Sequence, residues 1–388
     1  MSAGSVARDL AAWAHEQVGP LRARSEEIER ARQLPADVAR RLAEGGAFRA
    51  LVPASYGGLE LEPQPFTEVL TTLARGDAAA AWCVMTGATT SLLAAYLEPA
   101  AARELCADPA AIFAGVIAPM GRATPVAGGY RLRGRWPFAS GAHNAGWRMG
   151  GALVMTEEGP RKLGDGRVEV RCCFFPAEAS RLHDTWDTSG LCGTGSHDLE
   201  VEDVFVPESH TTCLLVDEPR VAGALYRFPT FGLLAASIAA VALGIGRSAI
   251  DELSSLACEK KTRGGRRSLA EQDLVQVEVA QAEGELAAGR ALLAASLDAA
   301  WVAAQGGEVE VETRARLRLA ATQATRAAVR AVDAMYTAGG GTSLYRRSPL
   351  QRHLRDVHTV TQHVMVAPAT MKLVGRVLLG VPTDVAEL

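Results

Sequence analysis

The strongest constraint on the fold is a change of residue pattern between positions 116 and 210. On both sides of this region apolar residues recur at spacings of three and four, which is typical of amphipathic helices. Inside it, short apolar or alternating segments such as "LEVEDVFV" are separated by glycine, proline and aspartate, which is typical of strands and turns. The pattern predicts a mostly α fold with a small central antiparallel β domain, and domains at 1–115, 116–222 and 223–388.

Glycines mark the ends of several predicted helices. "LPADVARRLAEGGAFRALVP" has apolar residues at helical spacing, and Gly45-Gly46 predicts a helix end there. Residues 64–98 follow with an alanine-rich helical pattern. Further on, a narrow apolar seam at 275–293 and a second helix at about 310–336 indicate closely packed helices, and another helix follows Pro349. We expect a four-helix bundle in the C-terminal region.

The most apolar segment, "FGLLAASIAAVALGIG" at 231–246, predicts a buried core helix. It is shorter than the roughly 18–20 residues that a membrane span needs, and Arg247 follows it directly. A chain of 388 residues is long enough for a large core in two or three subdomains.

Charge and cysteine content exclude some classes of partner. The net charge is −4, so we expect neither a nucleic acid nor an anionic membrane as a partner. Arg8 and Asp9 precede any apolar run, so no signal peptide is expected. The seven cysteines include no C-x-x-C pair, and no His, Cys or carboxylate cluster has zinc-like spacing. Reduced thiols, a cytoplasmic location and no bound metal are therefore expected.

Two segments carry candidate chemistry. "GRWPFASGAHNAGW" at 134–147 gathers aromatic, hydroxyl, imidazole and amide side chains in a chain with only 5% aromatic residues. From spacing alone, Ser140 fits a turn cap before Gly141 at least as well as a catalytic hydroxyl. His363 has an ordinary pKa of about 6.5 and could exchange protons near neutrality, although a lone helical histidine more often bonds a backbone carbonyl.

Five segments in sequence order give the chain a resemblance to the acyl-CoA dehydrogenase fold. More closely, it resembles the flavin-dependent monooxygenases built on that fold, the oxygenase halves of two-component systems. The resemblance spans essentially the whole chain and implies an N-terminal helical domain, a β-barrel-like domain and a C-terminal four-helix bundle. The segments are "LVPASYGGLELEP", "GDAAAAWCV", "GGYRLRGRWPFASG", "TWDTSGLCGTGSHDLEVEDVFVP" and "SPLQRHLRDVHTVTQHV".

Dehydrogenases of this fold use a glutamate to remove a proton alpha to a thioester carbonyl. In this chain "RDVHTVTQHVMV" has no carboxylate after Asp356, and Leu234 stands at the alternative base position on an earlier helix. A carbon acid needs a positioned base to lose its proton at a useful rate. The missing carboxylates therefore favour the monooxygenase branch.

The resemblance implies reduced flavin (FMNH2 or FADH2) and O2 as cofactors. It further implies a C4a-hydroperoxide that must be kept dry and hydrogen-bonded. The implied reaction is hydroxylation of a small aromatic or other electron-rich metabolite, such as a natural-product intermediate. No nicotinamide motif is present, so a separate NAD(P)H-dependent reductase is expected. A homotetramer is also implied.

Three alternative functions stay open. They are an N-hydroxylase or nitrososynthase acting on an amine or amino sugar, an acyl-CoA dehydrogenase-like flavoenzyme, and a catalytically silent ligand-binding relative. FMN and FAD are not distinguished, because the adenine-contacting positions fall in a predicted loose loop at 261–268.

The resemblance also implies roles for individual residues. Ser140 would lie beside the reactive edge of the flavin and His363 over its C4a face, where His363 could deprotonate a substrate or hold the peroxide. His358 is a weaker candidate, and His353 is expected at solvent or a subunit contact. The implied flavin-contacting set is Trp136, Phe138, Ser140, Thr194, Ser196, Arg247 and Gly340. The implied substrate-contacting set is Trp82, His143, Asn144 and His358.

Overall fold

The computed structural model describes residues 3–214, 216–261, 267–386 and 388. Residues 262–266, the centre of the predicted loose loop, lie outside the described residues. The described chain runs through five helices, then eight strands, then six helices. This is the predicted α, β, α order.

The N-terminal helices begin and end where local backbone chemistry requires. Gly45 caps the second helix, as predicted. The predicted helical stretch at 64–98 is divided because Asp77 starts a new helix: its carboxylate accepts a hydrogen bond from the Ala80 N–H at 2.8 Å. The helices are α1 (Ala3–Ala31), α2 (Ala36–Glu44), α3 (Pro63–Gly76), α4 (Ala78–Ser91) and α5 (Pro99–Leu105).

The strands form one sheet in the order β6-β7-β2-β1-β3-β5-β8, with β4 paired to β3. The prediction of a purely antiparallel sheet is wrong at one pair: β1 and β3 run parallel. The chain leaves β2 through the 137–146 loop and crosses over before it returns as β3, and a crossover permits parallel pairing. The strands are β1 (Phe113–Val126), β2 (Gly129–Trp136), β3 (Trp147–Thr156), β4 (Gly159–Pro160), β5 (Val170–Pro176), β6 (Arg181–His183), β7 (Asp198–Pro207) and β8 (Thr211–Thr212).

Trp136 fills the core of this β domain. Its indole is fully buried, and Nε1 donates a hydrogen bond to the Gly151 carbonyl at 2.7 Å. A Cβ at Gly121, Gly134 or Gly150 would lie 2.3 to 2.8 Å from the indole, so the three glycines make room for it. The placement of Trp136 in a flavin-contacting wall is therefore wrong, because a ring enclosed in this way has no surface left for a cofactor.

The C-terminal helices pack through small residues. The 275–293 seam is confirmed in α8: Leu286, Gly289 and Leu293 are buried, and a Cβ at Gly289 would lie 3.0 Å from Ala327 of α9. The helices are α6 (Ala224–Arg227), α7 (Thr230–Glu259), α8 (Asp273–Gly306), α9 (Val311–Gly339), α10 (Pro349–Val360) and α11 (Pro368–Leu378).

Three helical segments among the described residues are long and apolar enough to cross a membrane, judged by length and composition. Two of them, Ala78–Tyr96 and Thr230–Glu259, have 89% of their apolar window buried inside the protein. The second contains the 231–246 segment, so its prediction as a buried core helix is confirmed. The third, α8, has only 28% buried and leaves an apolar face uncovered.

Candidate active site

Three buried hydroxyl groups form a short hydrogen-bonded chain between the β domain and α4. The Oγ of Ser140, in the loop after β2, lies 2.6 Å from the Oγ of Ser196. Ser196 Oγ lies 2.6 Å from Thr194 Oγ1, which donates to the Leu191 carbonyl at 2.8 Å. At the other end, Trp82 of α4 donates its indole N–H to Ser140 Oγ at 3.1 Å.

The two ends of this hydroxyl chain set its direction. An indole N–H can only donate and a carbonyl can only accept. With Thr194 donating to Leu191, Ser196 donates to Thr194, and Ser140 donates to Ser196. Each hydroxyl proton is then used within the chain, while Ser140 Oγ retains room to accept one more hydrogen bond. A group that donates a hydrogen bond is therefore the natural ligand at Ser140.

His363 is held as a neutral hydrogen-bond donor. It follows α10, and its Nδ1 accepts a hydrogen bond from the Met365 N–H at 3.2 Å. This bond assigns the ring proton to Nε2. Burial, together with the charge of Arg318, lowers the pKa of His363 to about 4. Since Nε2 already carries its proton, the geometry favours holding an oxygen atom over removing a proton from a substrate.

Trp82 connects the hydroxyl chain to the histidine. Its indole meets the His363 ring edge to face, with centroids 5.8 Å apart. Thr86 and Thr89 lie four and seven residues after Trp82, on the same helical face, and both are partly exposed within an otherwise buried helix. Trp82 therefore places this face of α4 beside the hydroxyl chain and His363.

Phe138 offers an exposed aromatic surface beside Ser140. Its side chain is 65% exposed, its φ is 67°, and its ring meets Trp186 edge to face at 6.1 Å. A bulky residue in this backbone region is uncommon and is found where a site imposes it. The flavin contact predicted for Phe138 stays a prediction.

No carboxylate serves this site within the described chain. None of the hydrogen bonds of Trp82, Ser140 or His363 involves an acidic side chain. Asp356, the last acid before His363, lies beneath the site and accepts the Leu191 N–H at 2.6 Å. The hydrogen bonds of these three side chains therefore agree with the lack of a carboxylate at both base positions of the sequence.

Two residues predicted for the site are engaged elsewhere. Arg247 bonds Asp251 at 3.0 Å and Glu283 at 2.7 Å, so its guanidinium is neutralised between α7 and α8 and is not free for a flavin phosphate. His358 Nε2 lies 2.9 Å from Asp333 of α9, because it points to a different side of α10 from the hydroxyl chain. Both predicted ligand contacts are corrected.

The histidine and asparagine after Ser140 brace the loop. His143 meets His197 edge to face at 5.0 Å, and Asn144 donates to the Leu34 carbonyl at 2.9 Å. These contacts hold the loop against its neighbours, and the described structure gives neither residue a contact with the hydroxyl chain. Their predicted substrate contact stays a prediction.

Gly340 directly follows α9, and His353 lies within α10. Gly340 is exposed at the end of α9 with a φ of 56°, and its flavin contact stays a prediction. The prediction that His353 lies at solvent or a subunit contact is wrong: its side chain is buried within the chain, and its Nε2 has no hydrogen-bond partner among the described residues. Burial lowers the pKa of His353 to about 3, so it stays neutral.

Sequence reasoning missed Leu191 and the threonines of α4. Leu191 has a φ of 49° and a ψ of 31°, and nothing in a leucine signals such a backbone. The spacing of Trp82, Thr86 and Thr89 could have been read as one polar face of an apolar helix.

Comparison with known proteins agrees with this site. Family models for the acyl-CoA dehydrogenase N-terminal and C-terminal domains match residues 5–107 and 236–368. An indole-3-acetate monooxygenase of Pseudomonas putida is 36% identical over 92% of this chain and 90% of its own length. The chain belongs to the flavin-dependent monooxygenases of the acyl-CoA dehydrogenase fold. Other relatives are named as oxygenase subunits or components of flavin-dependent hydroxylases.

Solved structures of this monooxygenase family superpose closely. The 3-HSA hydroxylase of a Rhodococcus species is similar with a TM-score of 0.88 and 27% identity, covering 96% of this chain and 97% of that one. XiaF of a Streptomyces species, solved with FADH2 and glycerol, has a TM-score of 0.89 and 27% identity over 98% of each chain. The predicted fold class is confirmed by these relatives.

Proposed function

We propose that this protein is the oxygenase component of a two-component flavin-dependent monooxygenase that hydroxylates a small aromatic metabolite. The observation that carries the proposal is the directed hydroxyl chain: it leaves Ser140 able to accept, beside a neutral histidine donor and without a carboxylate. The names of the relatives support the same activity.

A reduced flavin suits these groups better than an oxidised one. Bound reduced flavin supplies the electrons and the position at which O2 is activated. The reduced ring carries an N–H at N5, whereas the oxidised ring presents an unprotonated nitrogen there. Ser140 Oγ would accept that N–H without breaking any bond of the hydroxyl chain. His363 Nε2–H would donate to an oxygen, and the buried surroundings limit water.

The protonation state of His363 favours an electron-rich ring that needs no base. A phenol is activated by losing its proton, and an alkylamine is protonated at neutral pH, so both would require a proton acceptor. An indole is electron-rich in its neutral form. The Pseudomonas putida relative is named for indole-3-acetate, and we propose an indole-type substrate for this chain.

A separate NAD(P)H-dependent flavin reductase would supply the reduced flavin. The sequence carries no nicotinamide-binding motif, and several relatives are named as oxygenase subunits or components. The expected transfer is by diffusion of free flavin between the two proteins. The cytoplasmic location expected from the cysteine content stays a prediction.

A second copy of the chain is the proposed cover for α8. Leu274, Val277, Leu292 and Val302 are 42 to 70% exposed along this one helix. An apolar face of this kind on a globular protein marks an interface. We propose that α8 packs against other copies in a homo-oligomer, with a tetramer expected from the family resemblance.

The test combines flavin binding with product analysis. FMN and FAD, each reduced without oxygen, are mixed with the protein and then with O2 and indole-3-acetate, while product and hydrogen peroxide are measured. Tight binding of reduced flavin and a hydroxylated indole are expected. Failure to bind reduced flavin, or bleaching of tightly held oxidised flavin by an acyl-CoA, would contradict the proposal.

A further inference from the structure

A buried aspartate is connected to the hydroxyl chain through Leu191 and does not itself face a ligand. Asp356 of α10 is 6% exposed, and its Oδ1 accepts the Leu191 N–H at 2.6 Å. Leu191 then accepts at its own carbonyl from Thr194 at 2.8 Å and from Trp186 at 3.1 Å. One residue therefore joins α10 to the end of the hydroxyl chain.

Leu191 needs such a restraint. Its φ of 49° and ψ of 31° place it in the left-handed region, which is unfavourable for a leucine by about 1 kcal/mol or more. A backbone in this state persists where its surroundings hold it. The short hydrogen bond from its N–H to a buried carboxylate is the contact that fixes this residue against α10.

The loop before Leu191 is built to approach α10 closely. A Cβ at Gly190 would lie 2.2 Å from the Arg355 carbonyl, so only glycine fits. Arg355 also donates to the Ser189 carbonyl at 2.5 Å. Two consecutive residues of α10 thus hold three consecutive residues of the loop, and a larger side chain at Gly190 would separate them.

We propose that Asp356 is a positioning residue: it holds Leu191 in its left-handed conformation, and Leu191 thereby fixes the acceptor at which the hydroxyl chain ends. Ser140 keeps its accepting lone pair because that terminal acceptor stays in place. The inference rests on the proposed function, since it concerns the same flavin site, and it assigns Asp356 no contact with the flavin.

The surroundings of Asp356 make its ionisation relevant. Burial, with Asp77 as a neighbouring negative charge, raises the pKa of Asp356 to about 7. The ionised carboxylate is the stronger acceptor for the Leu191 N–H. Its hold on the loop therefore strengthens as the pH rises through about 7. The charged and titratable groups around it are Asp77 at the start of α4, Arg352, His353 and Arg355 on α10, Glu29 of α1 paired with Arg355, and Cys192 in the loop.

Three variants separate positioning from general stability. D356N keeps an acceptor oxygen and removes the charge, D356A removes both, and G190A pushes the loop away from α10. We expect D356A and G190A to bind reduced FMN or FAD about tenfold more weakly than the wild type, and D356N to stay within about twofold. Hydrogen exchange of the 188–196 segment should rise in D356A and G190A and should stay unchanged in D356N. E169Q is the control, a buried acid paired with arginines of the β domain, and should leave flavin binding unchanged.

The pH dependence supplies a readout that lost packing would not change. Between pH 6 and pH 8 the wild type should gain affinity for reduced flavin relative to D356N measured at the same pH, so that the ionisation of the flavin itself cancels. Wild-type affinity in folded D356A and G190A, or equal loss in D356N and D356A, would overturn the inference. A wild type that binds no reduced flavin would instead refute the proposed function.

Discussion

The hydrogen bonds that Ser140 makes to its neighbours determine which hydrogen bonds it can still make to a ligand. Its proton goes to Ser196, and one of its lone pairs takes the indole N–H of Trp82. To donate a hydrogen bond to a ligand, Ser140 must give up its bond to Ser196, or all three hydroxyls must reverse and Thr194 must release the Leu191 carbonyl. Either way the chain loses one hydrogen bond. The selection between flavin redox states therefore depends on a residue two hydroxyls away from the ligand.

Thr194→Val should weaken this selection. Without Thr194 Oγ1 the proton of Ser196 can turn to Ser140, and Ser140 can then donate to an oxidised flavin. We expect the ratio of dissociation constants, oxidised to reduced, to fall about tenfold, the value of one hydrogen bond. Fluorescence titration with each redox form measures it. Thr325→Val, a buried threonine that bonds only its own helix, is the matched control, and an unchanged ratio in Thr194→Val would refute the direction assigned to the chain.

His363 should tolerate glutamine better than leucine. A glutamine amide can still donate a hydrogen bond, whereas leucine cannot, so H363Q should couple O2 use to product and H363L should release most of it as hydrogen peroxide. With a pKa of about 4, the wild-type coupling should not follow a histidine titration between pH 6 and pH 8. The ratio of peroxide to product at several pH values is the measurement.

The contrary result would identify a base. Equal loss in H363Q and H363L, with activity rising through a pKa near 6.5, would show that the histidine removes a proton.

The depressed pKa of His363 also has a consequence for stability. The neutral ring supports the fold fully above about pH 6.5, and that support is lost as the pH falls towards 4.

The sequence predicted part of this residue-scale chemistry. Ser140, Thr194 and Ser196 were assigned to one site by resemblance, and the structure brings them within hydrogen-bonding distance. Their order and direction could not be predicted, because they depend on a carbonyl of Leu191 whose backbone lies in a region that leucine rarely adopts. Arg247 was misplaced because an arginine in sequence carries no sign of the two acids that neutralise it.

At the scale of elements, the periodicity of apolar residues predicts where the helices and strands lie. The burial of Trp136 depends instead on contacts between strands that are distant in sequence. The predicted helix end at Gly45 and the seam of α8 follow from local rules, and both are present. The parallel pairing of β1 with β3 and the burial of Trp136 depend on the crossover through the 137–146 loop. No local pattern encodes that crossover.

Gly150→Ala should destabilise the β domain without changing the site directly. The new Cβ would lie 2.5 Å from the Trp136 ring, and such overpacking typically costs about 1–3 kcal/mol. Thermal unfolding should show this loss, while reduced-flavin affinity of the folded protein stays the same. Gly164→Ala, where nothing lies within 4 Å of the new Cβ, is the control. A selective loss of flavin affinity in Gly150→Ala would instead support the flavin contact predicted for Trp136.

At the scale of the whole molecule, α8 is the least buried of the three long apolar helical segments in the described chain. Its apolar window is 28% buried, against 89% for the two other helical segments of comparable hydropathy. The chain folds around one large core that contains most of its buried apolar residues, so this face is not needed to complete it. We propose that this face of α8 packs against other copies of the chain.

Val277→Glu combined with Leu292→Glu should dissociate the homo-oligomer that we propose. Both positions are exposed on α8, 51% and 42%, so charges there cost little in a single copy but would be buried unpaired between copies. Light scattering after size exclusion should show a smaller species than the wild type. Arg290→Glu, a charge change on the same helix, is the control, and an unchanged mass in the double variant would place the interface elsewhere.

The position of Trp82 also has an optical consequence. Its indole lies between the hydroxyl chain and His363, whereas Trp136 is sealed in the β domain. Indole emission overlaps the absorption of flavins, so a flavin that binds beside Ser140 should quench Trp82 strongly by energy transfer. The difference between the wild-type signal and that of Trp82→Phe would then record occupancy in real time, before any catalytic turnover begins.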